Sequence, residues 1–465
     1  MRARVVASDR LVPRRVSVLT LACTIFFVVS GGPYSAEVVV GKTGPLFGIA
    51  LLLVCAVFWA LPVALLTAEM SSIFPEEGGY YVWVKSALGP FPAFLCGWWS
   101  WLSSWVDVAL YPVLAASYAA KLLPHDVNPL VVQAIKYGII VVFAAVNLRG
   151  IRSVGFFSDG LTLALLAPFA VLIGVALFRA VSGQAPHLPW LNGPPKASEI
   201  GAAAVFALWN FFGWDSVTMA SAEIQAAGQR LPKALMIGLV LVTASVVLPV
   251  AAGVVVNTNW TQWNTQDGYW PEIAARAFPW LGIAAALAGV ISGIGLFSAN
   301  LLASSRIPYV LAADGFLPKL LYREHPKYKT PWVGILVAAA LAAVLAQESF
   351  ENLVAIDLSL YLAALLLEFA SLLALRAKQA DADAGFRIPG GMAAALAVCA
   401  IPALIAALAV VLQLSPALRT SLSMNTLRFN PIGMTLAMLL SGPAVYGAIH
   451  VARHGRLTEH DGRAH

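Results

Sequence analysis

Charge is scarce in this chain. Of its 465 residues only 11% are Asp, Glu, Lys or Arg, while 60% are hydrophobic. A water-soluble domain carries about 25% charged residues, so this chain could not cover a soluble surface. A disordered protein, a long linker and a nucleic-acid-binding domain are excluded. Cysteine is scarcer still. Cys23, Cys55, Cys96 and Cys399 all lie in apolar runs without CxxC spacing, which points to buried small side chains rather than disulfides or a metal site. The seven histidines fall in loops or at run ends, which disfavours a histidine proton relay across a bilayer. Nucleotide motifs are missing as well. Gly41-Lys42-Thr43 lacks the first glycine of a P-loop, because position 36 is Ala36. Gly293-Ile294-Gly295 lacks the third glycine of a dinucleotide fingerprint, because position 298 is Ser298. No run carries a His/Glu metal motif or a nucleophile–base pair, so a membrane enzyme is disfavoured. No soluble stretch is long enough for an ATPase domain. Whatever this protein moves, an ion gradient drives it. No cofactor is expected, and sodium stays open beside the proton.

What the chain has is apolar runs that recur to its end. A helix needs about 20 mostly apolar residues to cross roughly 30 Å of hydrocarbon. Twelve runs qualify, at about 17–41, 45–73, 88–120, 129–148, 154–180, 200–224, 233–256, 273–306, 331–347, 352–376, 392–413 and 431–452. None shows the short alternating pattern of a β-barrel. The expected fold is an all-α integral membrane protein of twelve transmembrane helices. Most of the basic residues fall on one side, among them Arg2, Arg4, Arg10, Arg14, Arg15, Arg149, Arg152, Arg306, Lys319 and Arg323. By the positive-inside rule both termini are cytoplasmic, and the net charge of +6 anchors the protein to an anionic inner leaflet.

Two spans are interrupted. Span 1 reads Ser30-Gly31-Gly32-Pro33-Tyr34-Ser35-Ala36-Glu37, and span 6 reads Trp209-Asn210-Phe211-Phe212-Gly213-Trp214-Asp215. Backbone at membrane depth must be buried or line a watery cavity, since lipid cannot satisfy its hydrogen bonds. Interrupted spans at matching places in two halves point to a transporter's central site. Spans 1 and 6 each open a set of five, which fits a 5+5 inverted repeat with two further helices. The expected layout is a cytoplasmic tail over 1–16, repeats over 17–180 and 200–376, two helices over 392–452, and a tail over 453–465.

Carboxylates inside spans are costly and therefore informative. Glu37, Asp107, Asp215, Asp357 and Glu368 lie within spans, with Glu69, Asp159 and Glu223 nearer their ends, and no Lys or Arg sits deep in a span to pair with them. Acids without cations suggest a cationic substrate, proton carriers, or both. Asp107, Asp215 and Glu37 are the proton-coupling candidates. Asp107 and Asp215 stand out, the first among the tryptophans of span 3 and the second beside the break in span 6. Trp209, Phe211, Phe212 and Trp214 flank that break, where aromatic rings can wall a pocket and hold an ammonium by cation–π attraction.

Several ordered motifs resemble the amino acid–polyamine–organocation superfamily. They are Ser30-Gly31-Gly32-Pro33-Tyr34 with Glu37, Thr67-Ala68-Glu69, Phe74-Pro75-Glu76-Glu77-Gly78-Gly79-Tyr80, Asp107 through Leu114, Trp214-Asp215, and Leu231-Pro232-Lys233-Ala234-Leu235. The likeness runs from about 17 to 452 and is nearest to the polyamine:proton symporters. It implies a LeuT-type fold and proton-coupled uptake of polyamines or related cationic amino compounds, through a plasma membrane or a bacterial inner membrane. Span 6 also resembles the arginine/agmatine exchangers at Trp209, Phe211, Gly213 and Asp215, which makes Trp209 a gating aromatic. Related proteins often carry a lysine in helix 5. None occurs here, which leaves carboxylates to carry protons. The helix-8 stretch Phe297-Ser298-Ala299-Asn300 is neutral where plant polyamine carriers are expected to be acidic, so an amino-acid permease is the alternative. The implied substrate site draws on Ser30, Gly31, Gly32, Tyr34, Glu37, Asp107, Trp209, Phe212, Gly213, Trp214, Asp215, Ser298 and Asn300. The expected partners are a small amine or amino acid and the lipid bilayer. The sequence sets no oligomeric state.

Overall fold

Proline and glycine decide where the helices of this chain start and stop. The computed structural model describes residues 16–76, 78–124, 127–149, 158–184, 194–264, 268–328, 330–378, 385–421 and 431–461. Arg2, Arg4, Arg10, Arg14, Arg15, Arg152 and Glu77 lie outside the described residues, as do the side chains of Asp159 and Glu223. Among the described residues every regular element is helical. The first half holds α1 (Val18–Val29), α2 (Ala36–Thr43), α3 (Pro45–Cys55), α4 (Leu61–Ile73), α5 (Gly79–Leu88), α6 (Pro90–Ala120), α7 (Pro129–Leu148) and α8 (Ser158–Val181). The second holds α9 (Ala197–Trp209), α10 (Ala227–Val256), α11 (Trp270–Ala275), α12 (Pro279–Ser304), α13 (Arg306–Ala313), α14 (Trp332–Leu345), α15 (Phe350–Lys378), α16 (Gly391–Ser421) and α17 (Pro431–Asp461). Pro45, Pro90, Pro129 and Pro279 each stand in the first helical turn, where the missing N–H costs nothing.

Eight helical stretches are long and apolar enough to cross a membrane, and α1, α9 and α14 are shorter apolar helices. The chain is a multi-pass, helical integral membrane protein. Both expected breaks are present. Between α1 and α2 the backbone takes positive φ at Gly31 (60°), Gly32 (115°) and Ser35 (73°), and after α9 at Gly213 (87°). After that second break the chain continues as a tight 3₁₀ turn over Ser216–Glu223 rather than as an α-helix.

Of the span limits, 45–73 and 88–120 keep their expected extent with added local detail, and 273–306 needs correction. The stretch 88–120 is preceded by a separate helix, α5, ended at Gly89 by a positive φ of 96°. The stretch 273–306 is divided, because the chain turns between α11 and Pro279 at the start of α12. The stretch 45–73 carries a π-helical turn at Ala56–Ala60, where the Leu61 N–H reaches back to the Ala56 carbonyl. Pro62 follows directly and has no N–H to keep the ordinary ladder.

Helix α6 is the centre of the bundle. It packs most extensively against α12 and α15, while α1 packs on α10. Its polar stripe, Ser100, Ser103, Ser104, Asp107 and Tyr111, follows helical spacing and so faces one side. The expectation that no Lys or Arg sits deep in a span to pair with the acids needs one correction, at Glu69 near a span end. Arg376, in α15, donates Nε to Glu69 Oε1 at 2.8 Å and Nη2 to Glu69 Oε2. The backbone N–H of Ile388 completes that carboxylate at 2.8 Å. Lys136 is buried in α7 and donates to the carbonyl of Ala346 after the end of α14. Both cations are satisfied away from the centre of the bundle and join neighbouring helices.

Candidate functional site

Where α1 stops, its last carbonyls are released into the bundle. No hydrogen bond reaches the carbonyls of Val28 and Val29 among the described residues, although Phe26 accepts from both Ser30 and Gly31 at 3.0 Å. Carbonyl ends of broken helices carry negative partial charge and suit a cation. A cavity of about 50 Å³ lies beside them, enough for a few water molecules. Val28, Ser100, Ser103, Asp107, Phe212, Gly213, Asp215, Asn300 and Tyr361 are among its lining, and among the described residues no Lys or Arg is. It runs past Tyr80, Met219, Ser304 and Ile307 toward the end of the bundle where α1 begins.

Each carboxylate in this wall is held by a tyrosine. Asp107 Oδ1 accepts from Tyr111 one helical turn on, at 2.5 Å, and Asn300 Nδ2 donates to that same hydroxyl at 3.2 Å. Asp215 Oδ1 accepts from Tyr361 at 2.6 Å, bringing α15 to the break. Phe212 packs edge-on against the Tyr361 ring at 4.2 Å. Asp357, one turn before Tyr361, accepts from Ser103 at 2.6 Å and interacts electrostatically with Asp107. The site therefore brings together Asp107, Phe212, Gly213, Asp215 and Asn300 from the sequence-derived set. It adds Ser103, Asp357 and Tyr361, of which only Asp357 had drawn notice. The signal for them was the serine stripe on span 3 and the spacing Asp357–Tyr361 on span 10.

The remaining residues lie elsewhere, for packing reasons. Ser298 accepts from Asn147 Nδ2 at 3.0 Å, so it faces α7. Trp214 is fully buried and donates to the Phe211 carbonyl at 2.8 Å, beside Trp59, which donates to it at 3.0 Å. Tyr34 donates to the Ala285 carbonyl at 3.2 Å and packs on Tyr118. Ser30 turns back to the Gly32 carbonyl at 2.9 Å. The Gly31 carbonyl is taken by Ser292 at 2.5 Å, and Leu165 and Tyr34 cover Gly32. Glu37 lines a second cavity, of about 170 Å³, with Ser35, Lys42, Tyr118 and Glu351. Its Oε1 accepts from Tyr118 at 3.2 Å and from the Tyr269 N–H at 3.1 Å.

Trp209 stands near both cavities. It packs edge-on against Phe350 at 5.4 Å, and its ring lies 6.5 Å from Tyr111. Phe350 lines the second cavity, whereas Tyr111 holds Asp107 in the first. The indole N–H makes no hydrogen bond of ordinary geometry, although it lies near enough to Asp357 to interact with it. Asn210 Nδ2 donates to Ser35 Oγ at 2.9 Å and ties the two breaks together.

The family model for amino acid permeases matches residues 16–437. The chain belongs to this family. The permease is 36% identical over 408 residues to the polyamine transporter PUT1 of Oryza sativa subsp. japonica, covering 86% of this chain and 74% of that one. It is 34% identical over 393 residues to the polyamine transporter RMV1 of Arabidopsis thaliana, covering 84% and 79%. Against the low-affinity putrescine importer PlaP of Escherichia coli K12 it is 24% identical over 340 residues, covering 70% of each chain. It is a membrane transporter of small molecules.

In this permease Trp209→Phe should keep part of the transport rate and Trp209→Ala should lose most of it. A phenyl ring keeps an aromatic face between Tyr111 and Phe350, whereas a methyl group loses both ring contacts. Initial uptake rates in proteoliposomes measure this. An alanine variant with parental rate and affinity would make Trp209 an ordinary packing residue.

Proposed function

We propose that the permease is a proton-coupled importer of polyamines or related cationic amino compounds, working by alternating access. The observation that carries this reading is Asp107 and Asp215 in the wall of one cavity that, among the described residues, no cation lines. Two buried acids with hydroxyl partners but no Lys or Arg suit a ligand that brings its own positive charge. An amine chain spanning them would meet a carboxylate at either end and the Val28 carbonyl, Phe212 and Tyr361 between. The relatives named as polyamine transporters lend their substrate class to the same reading.

The amino-acid alternative needs a positive pole for an α-carboxylate, and the start of α2 is the natural one. Here Glu37 occupies its first turn, and the Ala36 and Val38 N–H groups already bond the carbonyls of Pro33 and Ser35. That favours a substrate with ammonium groups and no carboxylate.

The proposed arrangement has twelve spans, with α1–α2 and α9 with its following turn as the broken first members of two five-helix repeats, 17–180 and 200–376. Helices over 392–452 complete it. Tails 1–16 and 453–465 would both lie in the cytoplasm, in a plasma or bacterial inner membrane. Asp107 and Asp215 are the proposed substrate acids, with Asp215 also near the proton path. Glu37 belongs to the second cavity.

The test is uptake of radiolabelled putrescine, spermidine, arginine and a neutral amino acid into proteoliposomes, with and without an acid exterior. The diamine and polyamine should accumulate, and more strongly with acid outside. Accumulation of the neutral amino acid, with no binding or uptake of either polyamine, would overturn the reading.

A further inference from the structure

Glu368 is the buried acid that the site so far leaves unused. It lies on α15 two turns beyond Tyr361, is fully buried, and neither carboxylate oxygen makes a hydrogen bond. It does not line the cavity. Asp215, which does, interacts with it electrostatically. The contrast with Glu69 of α4, which meets the same helix, is sharp. Glu69, held by α15, has the Arg376 guanidinium and the Ile388 N–H. A structural acid in an apolar bundle is normally satisfied in that way. Among the described residues Glu368 has no such partner, and a naked charge buried there is costly.

The titratable surroundings of Glu368 are Tyr80 from α5, Cys96 from α6, Asp215 from the break and Tyr361 from its own helix. Cys399 of α16 is near, donating to the Phe369 carbonyl at 3.7 Å, and the Arg376–Glu69 pair lies two turns further along. Of these groups Tyr80, Tyr361 and Asp215 also line the cavity, and Asp215 is the carboxylate among them.

We propose that Asp215 and Glu368 work as a pair, Glu368 carrying the co-transported proton while Asp215 carries the substrate ammonium. This rests on the proton-coupled amine reading above and deepens it. The reason is charge counting. One buried carboxylate can neutralise a proton or an ammonium, so the two compete and cross in opposite directions. Two adjacent carboxylates can hold both, one as the neutral acid and one as the ion pair. Pair, proton and ammonium together are then neutral, which is the form able to move with the gate closed. Tyr361 donates to Asp215 and steers the ionised form to the acid that faces the cavity. Glu368 is thus the site that makes symport of a cation with a proton possible, and removing it leaves a protein that exchanges one for the other.

The experiment compares the parent with Glu368→Gln and Glu368→Asp in proteoliposomes, with putrescine as the probe and the membrane potential clamped. In the parent, acid outside should raise uptake. Glu368→Gln should keep putrescine counterflow to within about threefold but lose pH-driven accumulation. Its putrescine affinity should fall by up to about tenfold per pH unit as acid titrates the lone Asp215. Glu368→Asp should keep the acid stimulation. A glutamine variant that still concentrates putrescine down a pH gradient overturns the pair. If that variant is not recovered folded, the parent decides. Its putrescine affinity in detergent should change by less than about threefold between about pH 5.5 and 8, and a steep fall with acid overturns the pair. Absence of putrescine binding in the parent counts instead against the polyamine reading.

Discussion

Asp107→Asn and Asp215→Asn should each weaken polyamine binding by roughly 30-fold to several thousand-fold. That range follows from the 2–5 kcal/mol, or about that, typically lost when one side of a buried charge pair is removed. Both side chains are at least nine-tenths buried, each is oriented by a tyrosine hydroxyl, and nothing cationic in the cavity competes for them. The asparagine retains the acceptor that Tyr111 or Tyr361 meets, so the fold has little cause to change. Equilibrium binding of labelled spermidine to the purified variants measures the loss, and melting temperatures check the fold. The two should differ in transport. Asp107→Asn should fail at binding alone, whereas Asp215→Asn should also lose acid stimulation of whatever uptake remains. Parental binding, exchange and accumulation in both variants would make these acids structural and the site assignment wrong.

Gly293→Leu should cost the protein its stability and with it all transport. At this position α12 crosses α6 so closely that even a Cβ would lie 2.8 Å from the Tyr111 carbonyl oxygen and 2.9 Å from the Ala115 nitrogen. Backbone on the far side cannot step away as a side chain can. The helices must separate, and that pulls Asn300 from Tyr111 and Tyr111 from Asp107. Overpacking of this kind costs about 3 kcal/mol and can cost more. Thermal melting of the detergent-purified protein, together with its yield after gel filtration, gives the measurement. Gly174→Leu in α8 is the control, since nothing lies within 4 Å of a Cβ there. A Gly293→Leu variant melting with the parent would show that the α6–α12 contact is not what positions the site.

Membrane class, the two breaks and the acids were legible in the chain because each is a local cost. A long apolar run cannot be soluble, Gly31-Gly32-Pro33 cannot continue a helix, and Asp215 cannot sit idle in hydrocarbon. Sequence spacing also placed Asp107, Phe212, Gly213 and Asn300 near one another, since each lies close to a break or on a helix that must face it. Other residues were misplaced by the same logic. Ser298 is only two positions from Asn300, yet a helix turns about 200° in that interval, so one faces the cavity while the other faces Asn147 on α7. Trp214 looked like a pocket wall from its place beside Asp215, but after the positive φ at Gly213 it is buried and donates to the Phe211 carbonyl.

The sequence by itself determined that this is a helical membrane permease with broken helices and acids inside its spans. Those properties depend on residue type and on spacing along one helix. Which acid meets which partner was decided only by tertiary packing. The Tyr361–Asp215 bond joins residues 146 positions apart, and the Arg376–Glu69 pair joins residues 307 apart. Glu69 and Glu368 are alike in sequence, both acids in apolar helices. One received a guanidinium and an N–H from its neighbours, and the other received no hydrogen-bond partner. No local pattern encodes that difference, because it depends on which helices arrive beside each side chain when the bundle closes.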